Sequence, residues 1–261
     1  TSTLVPLMGV IYISVAFILT IMHINLVPGV VGRIFAEAFD FTAIFGGFAG
    51  SCMMFGIKRG LYSNEAGVGS APNAAAAADV SHPVKQGLVQ MLSVFIDTLL
   101  ICTATAFMCL SSGIEPTKEL AGAPYVQAAL AASMGDYAKL FITVSMVLFA
   151  FTTLLGNLYY VDNAFAYVLK HVPGKTFTLC YRILACVLIF IGAGSSMGTM
   201  WDLADVTMGF MAIINLPVIC ILGGPALRAL DDYTEQRDAG KNPEFKASKI
   251  GLTQKLDYWQ D

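Results

Sequence analysis

Six stretches of the sequence, residues 4–24, 35–57, 87–111, 137–160, 177–194 and 203–223, run for about twenty residues with few charges. A helix needs roughly 20 mostly apolar residues to cross hydrocarbon, because each residue advances it by only about 1.5 Å. Lipid offers backbone N–H and C=O groups no partner, so a spanning segment must satisfy them within itself, as an α-helix does. The pattern therefore predicts an all-α membrane protein of about six transmembrane helices. Composition agrees: 56% of the 261 residues are hydrophobic and 13% charged, against about 25% charged in soluble domains. A net charge of -3 gives no basic field for nucleic acid, and the bilayer is the expected surrounding.

Positive residues stay on the cytoplasmic side of a membrane protein. Lys58, Arg59 and Lys85, then Lys170, Lys175 and Arg182, then Arg228 mark alternate connections; Glu115, Glu119 and Asp136 against Lys118, and Asp202 with Asp205, mark the others. This alternation predicts a multi-pass protein of the cell inner (plasma) membrane with a cytoplasmic C-terminus. Residues 1–224 would form the helical bundle and 225–261 a polar cytoplasmic tail, helical at first. The opening "TSTLVPLMGV" enters an apolar span with no charged n-region, which is unlike a signal peptide and is expected of the later part of a longer chain. In the outer connection 112–136, "YVQAALAASMG" has a helical pattern, either over an external vestibule or simply on the surface.

The six cysteines form no metal-ligand spacing and read as small buried hydrophobes. His23, His82 and His171 sit at the ends of apolar runs, where a polar group at the water interface is the plain expectation.

The polar and flexible residues inside the spans carry the chemistry. "AIFGGFAGS" places Gly46 and Gly47 mid-span, each costing a helix roughly 1 kcal/mol relative to Ala. Two readings fit. One is a broken helix whose free amides face an anionic group, with Phe45 and Phe48 enclosing a small ligand; the other is a small-residue face for close helix packing. Thr152 and Thr153 in "LFAFTTLLGN" offer hard hydroxyl oxygens of the kind an alkali cation takes, or bond the carbonyl one turn back. Asn157 lies one turn on, and an amide in lipid needs partners. Asp97 is an intramembrane carboxylate, functional by default, with an internal hydrogen-bonding role favoured here. Asn215 precedes Pro217, whose missing N–H frees a carbonyl that Asn215 is expected to cap.

"GIKRGLYSNEAGVGSAPNAAAAADVSHPVKQGLVQ", residues 56–90, with "FIDTLLICTATA" after it, resembles the signature of the alanine or glycine:cation symporter family, the sodium:alanine symporters. "AFDFTAIFGGFAG", "LFAFTTLLGN" and "YYVDN" extend the likeness over nearly the whole chain except the polar tail. The resemblance implies a leucine-transporter-type inverted-repeat helical bundle. This chain would hold the end of the first repeat and all of the second, acting with missing N-terminal helices of the same protein. It implies symport of a small neutral amino acid, alanine or glycine, with a sodium ion by alternating access. By position in that fold, Phe45, Gly46, Gly47 and Phe48 would wall the substrate pocket. The Phe149 carbonyl with Thr152 and Thr153 would hold sodium, and Asn157 would touch substrate or gate. Asn64 and Glu65, by bonding free helix ends, would make the stretch after the broken helix an inner gate or hinge, or else a rigid scaffold.

Two other classes fit a chain of this composition less well. An intramembrane hydrolase lacks its motif, since "GVGSAP" has no closing glycine and Asp97 no second aspartate in a neighbouring span. A channel or membrane scaffold would favour repeated pore-lining rings rather than substrate-dependent sodium binding.

Overall fold

A computed structural model describes residues 3–41, 52–117, 120, 122–252, 256 and 259. Every regular element among these is helical. Helix α1 spans Leu4–Met22, and a 3₁₀ turn, Ile24–Leu26, leads into α2, Val27–Ala38. Helix α3 covers Cys52–Asn64 and the short α4 Ala71–Ala75. Helix α5, Pro83–Ile96, runs through a π-helical turn, Asp97–Cys102, into α6, Thr103–Leu110. Then come α7, Ala123–Met134, α8, Tyr137–Leu169, α9, Lys175–Ala193, and α10, Met197–Asp238.

Among the described residues, five helices are long and apolar enough to cross a membrane: Leu4–Met22, Pro83–Leu110, Tyr137–Leu169, Lys175–Ala193 and Met197–Asp238. They correspond to five of the six predicted spans. Of the predicted second span, residues 35–38 close α2 and residues 52–57 open α3. Phe45, Gly46, Gly47 and Phe48 lie outside the described residues. The last helix is far longer than the predicted 203–223 and is continuous past Pro217 and Pro225. It starts cleanly because Ser196 Oγ accepts the Thr199 N–H at 3.2 Å, the ordinary N-cap bond.

The chain divides into two compact units, Thr1–Ser63 with Phe95–Tyr159, and Asn64–Val94 with Tyr160–Asp261. In the first, Ala16 and Leu19 of α1, Met108 of α6, Leu130 of α7, and Ala138 and Ile142 of α8 form one buried cluster. Tyr12 satisfies its hydroxyl on Thr105 Oγ1 at 2.9 Å while its ring stacks on Phe141. The alanine-rich helix α7 is part of this core: Ala129 and Leu130 are each 1% exposed.

In the second unit the buried cluster is Ala229, Phe245, Ala247 and Ile250, flanked by Val84, Leu252, Leu256 and Trp259. His82 lies beside it with 0% exposure, which corrects its placement at a water interface. Phe245 and Tyr233 close over the ring, a distant packing that local pattern does not reveal. The cysteines need the opposite correction. Cys109 is buried, but Cys52, Cys102, Cys180, Cys186 and Cys220 are exposed, because they sit on helix faces that these units leave open. The hydrophobic windows of α9 and α10 contain no buried residue, and large side chains such as Phe190, 81% exposed, project outward, as lipid-facing surface does and water-facing surface rarely does.

Candidate functional site

The loop between α3 and α4 takes its shape from backbone conformations that few residues tolerate. Gly67 and Gly69 have φ of +85° and +103°, and Glu65 adopts +52°. Glycine visits that region freely, whereas another L-residue there costs roughly 1–2 kcal/mol. The turn closes with the Val68 N–H on the Glu65 carbonyl at 3.1 Å, burying Val68 and Ser70. The Ser70 hydroxyl donates to the Glu65 carboxylate, so Glu65 holds the residue immediately before α4.

Two asparagines on long helices pin this loop and the short helix α4 that follows it. Asn215 Nδ2 on α10 donates to the Gly67 carbonyl at 3.0 Å, and Asn163 Nδ2 on α8 donates to the Asn73 carbonyl at 3.0 Å. The approach is close: a Cβ on Gly69 would fall 2.9 Å from Asn215 Cγ, and one on Gly67 3.3 Å from a methyl of Leu216. The expectation that Asn215 caps the carbonyl freed by Pro217 is corrected, since its amide reaches a carbonyl 148 positions away in sequence. Asn64 ends α3 directly before the loop.

Asp97 opens the π-helical turn and accepts the Ser63 hydroxyl at 2.6 Å; Ser63 Oγ also lies 3.5 Å from Cys102 Sγ, at the other end of that turn. Thr103 Oγ1 donates to the Thr98 carbonyl five residues back, at 3.3 Å, in keeping with the wider spacing. A π turn widens the helix by one residue and is frequent at functional sites. Here it coincides with a carboxylate inside an apolar span.

Farther along the first unit, Thr152 Oγ1 donates to the Phe149 carbonyl at 3.0 Å, the back-bond to the preceding turn. Thr153 is exposed on the next position of α8, and Asn157 is exposed one turn on. The donor set is of the right kind for sodium: neutral, hard oxygens, two of them adjacent. No group of three or more His, Cys, Asp or Glu side chains occurs among the described residues to hold a softer or more highly charged metal.

Ser63, Ser70, Asn163 and the distant bond of Asn215 are the site features that residue-by-residue reading passed over. One signal was present: amides inside apolar spans must find partners. The partner carbonyls are main-chain atoms, which carry no sequence signature.

The chain is matched over residues 1–247 by the profile of the sodium:alanine symporter family. It is 43% identical over 258 residues to an amino-acid carrier protein, AlsT, of Bacillus subtilis, covering 99% of this chain and 54% of that protein. It is 41% identical to a probable sodium/glutamine symporter, GlnT, of the same organism, covering 98% and 53%. It is 38% identical to a sodium/alanine symporter, AgcS, of Methanococcus maripaludis, covering 91% and 52%. The chain thus spans about half the length of these curated relatives. With its apolar helices and glycine-shaped loop, the chain belongs to the sodium:alanine symporter family.

Proposed function

We propose that this chain is part of a secondary active transporter that moves a small neutral amino acid, alanine or glycine, together with sodium across the cell inner membrane by alternating access. The observation that carries the reading is the family match over residues 1–247. In it the bundle adopts the leucine-transporter-type inverted repeat, with residues 1–224 in the membrane and 225–261 on the cytoplasmic side. Helices carried elsewhere in the full-length protein complete the site.

In this reading sodium is held by the Phe149 carbonyl and the Thr152 and Thr153 hydroxyls. Thr152 gives up its back-bond to Phe149 and turns an oxygen lone pair to the ion. Sodium supplies the positive charge and the driving gradient for an otherwise neutral, zwitterionic cargo. Phe45, Gly46, Gly47 and Phe48 wall the pocket and Asn157 contacts substrate. Asn64, Glu65 and Asp97 serve the inner gate, Glu65 by holding Ser70 in the turn that Asn163 and Asn215 pin, and Asp97 by holding Ser63 beneath the π turn.

The test is uptake of labelled alanine, glycine and glutamine by the full-length protein in proteoliposomes. Alanine or glycine uptake should require inward sodium and vanish with potassium in its place. Thr152→Val keeps the shape and deletes the hydroxyl, and should raise the sodium concentration for half-maximal uptake by tenfold or more, about 1.4 kcal/mol. Uptake independent of sodium would overturn the coupling, glutamine uptake alone would redirect the substrate, and unchanged uptake after Glu65→Gln would remove the gating role.

A further inference from the structure

After α10 the chain turns back and is tied to residues 80–85, the turn before α5 and that helix's first residues. The Phe245 N–H donates to the Ser81 carbonyl at 3.0 Å, and Ser81 Oγ donates to the Pro243 carbonyl at 2.8 Å. Lys85 Nζ reaches Asn242 Oδ1 at 2.6 Å, and Trp259 Nε1 donates to the Val80 carbonyl at 3.2 Å. The other side of the returning segment is held to α10. Gln236 bonds Glu244 in both directions, Nε2 to the carbonyl at 2.9 Å and Oε1 from the N–H at 3.0 Å. Arg228 Nε donates to the Ile250 carbonyl at 2.8 Å.

His82 sits at the centre of this clasp with no exposed surface. The Val84 N–H points at His82 Nδ1, 3.2 Å away, so Nδ1 must accept and the ring's proton belongs on Nε2. That proton faces Asp232 Oδ2 at 3.4 Å. The rings of Tyr233 and Phe245 stand at 5.2 Å on the remaining sides. A second proton has only Nδ1 to occupy, where it would confront the Val84 N–H donor to donor.

We propose that the C-terminal segment is a proton-released latch, closed on residues 80–85 while His82 is neutral and opened when His82 takes a second proton. The charged and titratable groups around the ring are Asp232 and Tyr233 on α10, Lys85 on α5, and Lys249 on the Ala247–Ile250 turn. Lys85 and Lys249 oppose an imidazolium, and Asp232 favours one. The Asp232 carboxylate is already shared, accepting Gln236 Nε2 at 2.8 Å and pairing with Lys249 Nζ at 3.3 Å. Burial is the largest influence and pushes His82 below its ordinary 6.5. The released ring, back in water, protonates at higher pH than the latched one. Release therefore takes up protons, so the latch has its full strength above pH 6.5 and loses it as pH falls from there through the lower value of the closed state.

The experiment is hydrogen exchange, read by mass spectrometry, on the full-length protein in nanodiscs at pH 7.5 and 5.5, with rates corrected for intrinsic pH dependence. Amides of residues 243–252 should lose more than about threefold in protection on acidification, and His82→Gln should abolish that response. Asp232→Asn removes the anion that favours the imidazolium in the closed state, so the closed value falls further below that of the released ring and the loss of protection between pH 7.5 and 5.5 should grow, which keeps the test decisive if His82→Gln loosens the segment outright. Equal corrected protection at both pH values in the unaltered protein would overturn the latch, as would a pH response that survives His82→Gln or one that Asp232→Asn makes smaller. Uptake is not the readout, so failure here leaves the transport reading standing, and the reverse holds.

Discussion

Gly69 combines a backbone conformation reserved for glycine with a contact that leaves no room for a methyl group. Gly69→Ala forces a Cβ to within 2.9 Å of Asn215 at φ +103°, so either the turn opens or Asn215 swings away from the Gly67 carbonyl. Left-handed strain alone costs about 1–3 kcal/mol. The expected outcome is a clear fall in the thermal midpoint of the detergent-solubilised protein, and a midpoint equal to that of the unaltered protein would remove the close approach from the account. That glycines mattered in this stretch was legible from composition. That Gly67 and Gly69 are the two at positive φ before α4, and that an asparagine on the last helix is what they make room for, was not. Asn215 shows why: its neighbour Pro217 supplies an attractive local explanation, while the actual acceptor is settled by how α10 passes the loop.

The span Pro83–Leu110 contains one widened turn, and its position is informative. A π turn leaves carbonyls less well served than an α-helix does, and here Thr103 uses its hydroxyl on the Thr98 carbonyl. Asp97 at its start is held by Ser63, the penultimate residue of α3. Ser63→Ala removes the α3 hydroxyl that donates to the carboxylate. It should cost about 1 kcal/mol, the low end for a bond to a charged group because Ser63 is exposed, and should raise amide exchange within Asp97–Cys102. Asp97→Asn keeps an acceptor oxygen for Ser63 and should be milder in the same measurement. Helix type followed from hydrophobic run length for five spans, but not every end did: α8 runs on to Leu169 and α10 covers Met197–Asp238. The π turn did not, because one extra residue per turn leaves an evenly apolar run evenly apolar.

Much of the second unit's buried cluster comes from residues that look like a polar tail. Phe245 and Ile250 are 7% and 5% exposed, and each such side chain contributes at least about 1.5 kcal/mol when fully buried. Truncation after Ala239 should therefore uncover Val84 and His82 and speed amide exchange at residues 80–85 by an order of magnitude or more. Unchanged exchange there would mean the segment does not pack as described.

Taken alone, the sequence determined the solvent. Twenty-residue apolar runs with few charges leave the backbone only helices, and the run from 56 to 90 carries enough unusual composition to point to a family. It also identified Glu65, Asp97, Thr152 and Asn157 as polar groups in apolar surroundings that require explanation. Tertiary structure decided which partner each polar atom takes. Hydrophobic periodicity reports a preference for lipid or core averaged over a whole helix face, whereas a hydrogen bond depends on two atoms meeting within about 3 Å. Asn163 meeting the Asn73 carbonyl, Ser63 meeting Asp97 and His82 enclosed by Asp232, Tyr233 and Phe245 are all such meetings across long stretches of chain, and only the folded path brings them about.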